Sequence, residues 1–162
     1  MDLKTFFYNY IEAWNTRNHE KLKQFFHETY ELKSNPDPFY RMTQKSSTIE
    51  EAKKKYTSKL DSFPDLQFHT EEIVTDNKSK ISVFGYFTGT HTGEYKGIPG
   101  TGKQIKQEAA MLYELKENKI IKVRRIADNL SLYLELGHAV MKGNNTRLIE
   151  LYFENIKDLL KD

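Results

Sequence analysis

The first apolar residues of the chain recur at a spacing of three or four, which places them along one face of an α-helix. They are Leu3, Phe6, Phe7, Tyr10, Ile11 and Trp14. The polar residues between them fall on the other face. This pattern predicts a helix at the start of the chain with a buried, largely aromatic face.

Two further helices are predicted before Pro64. Asn18 can cap the second helix, in which Leu22, Phe25 and Phe26 face inward. A capping box, formed by the threonine at position 48 and the glutamate three residues later, begins the third helix. The apolar face of the third helix consists of Ile49, Ala52, Tyr56 and Leu60.

After Pro64 apolar and polar residues alternate, as in a half-buried β-strand. Leu66, Phe68 and Val74 lie on one side of the first strand, "DNK" forms a turn, and "ISVFGYFTGTH" follows. These segments predict a β-hairpin.

Residues 104 to 128 are ambiguous, because Ala, Met, Leu, Glu and Lys favour a helix whereas the apolar positions alternate. With Glu117 and Asn118 as a two-residue turn, the segment is interpreted as a second hairpin. In that register Leu115 faces Ile120, Tyr113 faces Lys122, Met111 faces Arg124, Ala109 faces Ile126 and Gln107 faces Asp128. One mostly apolar face of the hairpin then ends in Asp128.

The segment "GIPGTGKQ", residues 97 to 104, contains G-x-x-x-x-G-K, the phosphate-binding loop of nucleotide-binding proteins without its final Ser or Thr. Such a loop binds phosphate only where a helix begins directly after it. Because a strand is predicted after Lys103, and Gln104 replaces the residue whose hydroxyl binds Mg²⁺, no nucleotide site is expected.

Composition and charge exclude other function classes. The chain of 162 residues is long enough for one domain, and its 25 basic and 23 acidic residues nearly balance, which argues against nucleic-acid binding. It has no Cys, and its five His do not pair at helical metal-ligand spacing, so no metal site is predicted. With no membrane-spanning apolar run and no secretory signal pattern, the prediction is a soluble, cytoplasmic protein.

Three segments carry a resemblance to a known family: "AWNTRNHEKLKQFF" at residues 13 to 26, "GTHTGEYKGIPGTGKQI" at 89 to 105, and "NKIIKVRRIADNLSLYLELG" at 118 to 137. They resemble the SnoaL-like polyketide cyclases of the nuclear-transport-factor-2-like superfamily, and the glycine-rich segment is the most specific. Residues 1–137 are therefore predicted to form the SnoaL-like domain. Residues 138–162 are predicted to be a helical extension of the same domain, with a helix that begins near Asn145.

The resemblance implies an α+β fold in which a cone-shaped, curved and mainly antiparallel sheet wraps around three N-terminal helices, with an extra C-terminal helix. It also implies an apolar cavity, dimerisation through the sheets, and aldol condensation without cofactor or metal, for which an Asp of the last strand motif is the general acid or base. Asp128 occupies that position, and Arg124 replaces the family's pocket tryptophan.

The candidate site combines this resemblance with the predicted strand pairing. Asp128 and His91, which begins the glycine-rich loop, are the candidate catalytic residues. The predicted substrate pocket consists of Tyr10, Trp14, Gln107, Met111, Tyr113 and Arg124. The expected function is cofactor-free proton transfer on a small apolar carbonyl compound, polyketide- or ester-like, by a cyclase, isomerase or dehydratase. The alternative is a non-catalytic homodimer that binds a small apolar molecule, with Asp128 as a structural cap.

Overall fold

The computed structural model describes residues 2–35 and 48–142, which form an α+β fold of four helices and a curved five-stranded sheet. The helices are α1 (Leu3–Asn15), α2 (His19–Gln24), α3 (Ile49–Ser62) and α4 (Asn129–Lys142). The strands are β1 (Phe26–Ser34), β2 (Gln67–Thr75), β3 (Lys80–Thr90), β4 (Gln104–Lys116) and β5 (Lys119–Ala127). The helix predicted to begin near Asn145 lies outside the described residues.

The three N-terminal helices begin where the sequence predicts them. Asn18 caps α2, and Thr48 and Glu51 form the expected capping box at the start of α3. The predicted end of α2 is wrong, because the helix ends at Gln24 and the chain becomes extended from Phe26 onward.

All five strands belong to one sheet with the order β1-β5-β4-β3-β2. The predicted β2–β3 and β4–β5 hairpins are confirmed, and β3 also pairs antiparallel with β4. Strand β1 pairs parallel with β5 and is not predicted by the apolar spacing. It forms the edge strand beside β5, so that β5 lies between β1 and β4.

A β-bulge changes the register of the second hairpin. Glu117 and Asn118 both have positive φ, 51° and 58°, as the predicted two-residue turn requires. Leu115 pairs with Ile120 as predicted, but the pairing shifts by one residue before Glu114. Because side chains alternate across a strand, this shift exchanges the faces of the β5 residues that follow. The predicted partners of Tyr113, Met111 and Ala109 are therefore wrong, and these residues pair with Val123, Arg125 and Ala127.

A second bulge lies in β2, between Thr70 and Glu72. It reverses the alternation in the second half of the strand, so that Ile73 packs against the core and Val74 is 51% exposed. The predicted inward position of Val74 is wrong for this reason.

Helices α1 and α3 cover the inner face of the sheet with aromatic side chains. The rings of Phe7 and Tyr113 pack edge to face with centroids 5.4 Å apart, and the rings of Trp14 and Phe87 lie 5.7 Å apart. Phe7 is 1% exposed, and burial of such a side chain stabilises the fold by about 1.5–3 kcal/mol. The hydroxyl of Tyr56 donates a hydrogen bond of 3.0 Å to the backbone oxygen of Trp14, which joins α3 to α1.

Candidate functional site

The inner face of β4 carries three of the predicted pocket residues. Gln107, Met111 and Tyr113 are all buried on this face. Tyr10 of α1 lies against Tyr113 with ring centroids 5.7 Å apart, and Trp14 of α1 packs against β3. The fold therefore brings these five predicted residues onto one layer between the sheet and the first helix.

Arg124, the sixth predicted pocket residue, lies on the outer face of the sheet. The bulge pairs it with Leu112, and its side chain is exposed. The neighbouring Arg125 takes the inner position, opposite Met111. The predicted pocket position of Arg124 is wrong because of the one-residue shift, and the arginine of the inner face is Arg125.

Lys59 of α3 is a candidate functional residue that the sequence interpretation missed. Its Nζ donates a hydrogen bond of 3.0 Å to Oε1 of Gln107 and lies 4.8 Å from the centroid of the Phe87 ring. Burial disfavours the charged ammonium and lowers the pKa of Lys59 to about 7, and the positive charge of Arg125 acts in the same direction. An amine with this pKa is partly neutral at neutral pH, so it can both accept and donate a proton.

The position of Lys59 in its helix is a signal that would have found it. It lies three residues after Tyr56 and four residues before Phe63, which places it on the face that packs against the rest of the protein. A lysine within an apolar stripe must either reach solvent or bury its amine. The exposed lysines at positions 53 to 55 conceal this signal, because they make the whole helix look solvated.

Gln107 connects Lys59 to the start of α4. Its Nε2 donates hydrogen bonds to Oδ1 of Asn129 at 2.9 Å and to the backbone oxygen of Asp128 at 3.3 Å. Its Oε1 accepts the bond from Lys59. Because the amide has a partner on each side, its orientation is fixed and it holds the lysine amine in one position.

Asp128 caps α4 at the edge of this region. Its Oδ1 accepts the backbone N–H of Ser131 at 3.0 Å, and the residue is exposed. Hydrogen bonds from the side chain and backbone of Ser131 lower the pKa of Asp128 and keep it a carboxylate. The predicted pairing of Asp128 with Gln107 is wrong, since the Asp128 backbone N–H bonds to the oxygen of Glu108. Its role in proton transfer stays a prediction.

His91 is fully buried within the glycine-rich loop. Its ring stacks on Phe63 with centroids 5.1 Å apart, and its Nδ1 lies 3.1 Å from the hydroxyl of Thr101. Its Nε2 is buried without a hydrogen-bond partner, and burial lowers the pKa of the ring, which favours neutral imidazole. These contacts hold the loop together, and a catalytic role for His91 stays a prediction.

The same loop lacks the geometry of a nucleotide site. The backbone N–H of His91 bonds to the oxygen of Lys103, and strand β4 begins directly afterwards at Gln104. The loop is therefore followed by a strand and not by the N-terminus of a helix, which agrees with the sequence interpretation. Gly93 lies so close to α3 that an added Cβ would be 2.1 Å from the backbone oxygen of Asp61, so the glycine packs the loop onto the helix.

Three basic side chains, Lys59, Lys96 and Arg125, lie near one another on the covered side of the sheet. Lys96 of the loop lies over the rings of Tyr95 and Tyr133, 5.5 and 5.4 Å from their centroids. Burial lowers the pKa of Lys96 to about 8, and the charge of Arg125 lowers it in the same direction. Because one guanidinium acts on both Lys59 and Lys96, the three charges converge on one region.

The described residues contain neither a cluster of metal ligands nor a helix able to cross a membrane. Among residues 2–35 and 48–142, no three His, Asp or Glu side chains are grouped closely enough to hold a metal ion. Within the described part of the chain, none of the helices combines the length and the apolar content that a membrane crossing requires.

Comparisons with known proteins agree with this fold. The sequence model of the family described as SnoaL-like polyketide cyclase matches residues 5–136. A comparison with curated proteins gave no significant match. IdmH from Streptomyces antibioticus, a proposed polyketide cyclase, has a TM-score of 0.74 at 18% identity, with 85% of this chain and 99% of that chain covered.

Two other solved structures show the same likeness. AclR from Streptomyces galilaeus, a proposed hydroxylase, has a TM-score of 0.72 at 18% identity and covers 83% of this chain and 95% of its own. A proposed polyketide cyclase from Acidithiobacillus ferrooxidans has a TM-score of 0.65 at 24% identity, with 79% and 88% covered. At these identities the likeness establishes the fold alone.

Proposed function

Because the chain belongs to the SnoaL-like polyketide cyclase family, we propose that it cyclises or isomerises a small apolar carbonyl compound by cofactor-free proton transfer. The observation that carries this proposal is the Lys59 amine. It is held by Gln107 beside an aromatic ring and has a pKa of about 7. A proton-transfer group works best when its pKa is close to the working pH.

Lys59 can perform both proton transfers of an aldol cyclisation in this scheme. The neutral amine removes a proton from the carbon next to a carbonyl, which leaves an enolate beside the new ammonium. The enolate carbon then forms a bond to a second carbonyl carbon of the same molecule, and the resulting alkoxide takes the proton back from Lys59. The amine is regenerated at the end, so atoms and charge balance without a cofactor.

Asp128 is a second proposed base, through the family resemblance. Its lowered pKa makes it a carboxylate at neutral pH, which is suited to removing a proton and not to donating one. Asp128 is exposed, and its carboxylate accepts the backbone N–H of Ser131, so it differs from a desolvated catalytic carboxylate. Lys59 is therefore the first candidate for the base, and Asp128 is the second.

The test compares Lys59→Met, Asp128→Asn and the exposed control Lys54→Met on a panel of aromatic polyketide-like ketones and esters. Lys59→Met is expected to lower turnover by roughly 10²-fold or more with the fold intact. The control is expected to keep wild-type turnover. If Asp128→Asn causes the large loss and Lys59→Met does not, the base is Asp128. If neither variant changes turnover of an accepted substrate, the proton-transfer scheme is wrong.

A non-catalytic binding module is the second candidate function. It is favoured by the observation that both residues predicted to be catalytic from the sequence are engaged in structural contacts, Asp128 as a cap and His91 in the loop. In this proposal the partner copy covers the outer face of the sheet, where Phe84 and Ile126 are 50% and 58% exposed. Stoichiometric binding of a ketone without turnover across the panel would support this candidate over the enzyme.

A further inference from the structure

Arg125 is an arginine on an otherwise apolar and aromatic face of the sheet. It lies opposite the buried Met111, and its Nε is inaccessible to solvent. Its positive charge affects the phenol groups of Tyr30 in β1 and Tyr113 in β4, which places all three side chains in one neighbourhood. Arg125 therefore shares the inner face of the sheet with Met111 and Tyr113, and Tyr30 of the next strand lies near it.

No acidic side chain of the described residues balances this charge. The Nε of Arg125 has no hydrogen-bond partner, and no carboxylate in residues 2–35 and 48–137 forms an ion pair with the guanidinium. The charged groups that it does affect, Lys59 and Lys96, are also basic. Arg125 is half-buried as a residue, and a buried N–H donor without a partner is costly, so an acceptor that reaches its Nε would stabilise the protein.

Two other cations of these strands have acidic partners. Lys33 of β1 lies 3.6 Å from Glu31, and Lys122 of β5 lies 3.9 Å from Glu114. These pairs are on parts of the strands that solvent reaches. Arg125, on the inner face, has no such partner among the described residues.

We propose that Arg125 binds the carboxylate of an apolar organic acid, so that the natural ligand of this protein is an anion with an aromatic or aliphatic body. A guanidinium presents parallel N–H donors that match the two oxygens of a carboxylate. The aromatic side chains of α1, β1 and β4 provide contacts for the apolar body. This inference deepens the proposed function by naming the substrate class, and it concerns binding, which is measured without turnover.

The proposal has an electrostatic consequence that distinguishes it from simple apolar binding. A bound carboxylate neutralises the charge that lowers the pKa of Lys59 and of Lys96, and both pKa values rise when the ligand binds. Between pH 7 and 8 the protein therefore takes up protons on binding. Asp128 stays ionised throughout that range and contributes no proton.

Isothermal titration calorimetry tests the proposal with matched ligands. The acids are 2-naphthoate and decanoate, and the neutral ligands are 2-naphthamide and decanamide, each titrated in two buffers of different ionisation enthalpy. Wild-type protein is expected to bind at least one acid about tenfold or more tighter than its amide, with proton uptake. A proton uptake that is absent for both acids would contradict the proposal.

Two adjacent arginines provide a matched control. Arg125→Gln is expected to abolish the preference for the acid while the amide still binds, whereas Arg124→Gln on the outer face keeps the wild-type preference. If Arg125→Gln does not fold by circular dichroism, Arg125→Lys is used, which keeps the charge, loses the parallel donors and is expected to show a reduced preference.

The proposal is overturned if the wild-type protein binds acids and amides with equal affinity. It is also overturned if the wild-type protein binds neither acid at millimolar concentration. An equal loss of preference in the Arg124 and Arg125 variants also overturns it. Failure of the proposed enzymatic function is a separate outcome. Acid binding that depends on Arg125 without any turnover would keep this inference and remove catalysis. Turnover of ketones by a wild-type protein that binds acids and amides equally would keep catalysis and remove this inference.

Discussion

Replacing Lys59 with methionine should stabilise the protein, and most strongly at low pH. In the unfolded chain a lysine has a pKa near 10.5, and in the folded protein the pKa of Lys59 is about 7. Below pH 7 both states carry the proton, so the folded state bears the full penalty of holding a desolvated ammonium. As the pH rises from 7 towards 10.5, the folded state loses its proton before the unfolded state does. The free-energy penalty on the folded state therefore decreases between pH 7 and 10.5.

The magnitude follows from the same shift. Each pKa unit corresponds to about 1.4 kcal/mol, so the penalty below pH 7 is at most about 5 kcal/mol. Lys59 is only partly buried as a residue, and its hydrogen bond to Gln107 contributes about 1 kcal/mol, so both effects reduce the gain. We expect Lys59→Met to raise the free energy of unfolding by about 2–3 kcal/mol at pH 5.5. Between pH 5.5 and 9 the difference from wild type should shrink by about 2–3 kcal/mol.

Urea unfolding followed by far-ultraviolet circular dichroism at pH 5.5, 7 and 9 measures both quantities. Titratable groups other than Lys59, including His91, are present in both proteins. Their contributions to the free energy of unfolding therefore cancel in the difference between the variant and wild type. Lys54→Met, a substitution of an exposed lysine in the same helix, is the control and should change stability by less than about 0.5 kcal/mol at every pH. A Lys59→Met variant that is less stable than wild type at pH 5.5, or whose difference does not vary with pH, would refute the buried amine.

Three further predictions test other parts of the structure. Asp128→Ala should lower the free energy of unfolding by about 1 kcal/mol, whereas Asp128→Asn should keep most of the cap, as measured in urea. Gly93→Ala should destabilise by about 2 kcal/mol or more, because its Cβ would meet the backbone oxygen of Asp61 at 2.1 Å, and an unchanged thermal midpoint would contradict that contact. If the outer face forms a dimer, the double variant Phe84→Glu, Ile126→Glu should sediment as a monomer while wild type sediments as a dimer.

The helices and hairpins were predictable because their signals are local. A helix is indicated by apolar spacing and by a cap such as Asn18, and the second hairpin by a turn whose two residues, Glu117 and Asn118, tolerate positive φ. Strand β1 lacks such a signal. Phe25 and Phe26 continue the helical spacing from Leu22, while the alternation of Tyr30 and Leu32 is short and follows without a glycine or proline.

The candidate site was less predictable, because it depends on a non-local register. Nothing in the residues around Ile120 and Ile121 indicates which of the two the bulge leaves unpaired, since both are equally apolar and β-branched. A shift of the strand pairing by one residue nevertheless moves every later side chain of β5 to the opposite face of the sheet. The partners of Gln107 were unpredictable for the same reason, because Lys59 reaches it from a helix 48 positions away in the chain.

The register also decides which chemistry the inner face can perform. In the predicted register that face holds Arg124 and Asp128 together, and an arginine beside a carboxylate is a balanced pair. In the observed register Arg125 is inside and Asp128 leaves the strand to cap α4, so the arginine is separated from the acid that would have balanced it. Burial lowers the pKa of Lys59 to about 7, and the charge of Arg125 adds to that effect, while the Nε of Arg125 has no hydrogen-bond partner among the described residues. The bulge thus places Arg125 on the inner face, and a variant that restored the predicted register would place Arg124 there and remove the proposed carboxylate contact of Arg125.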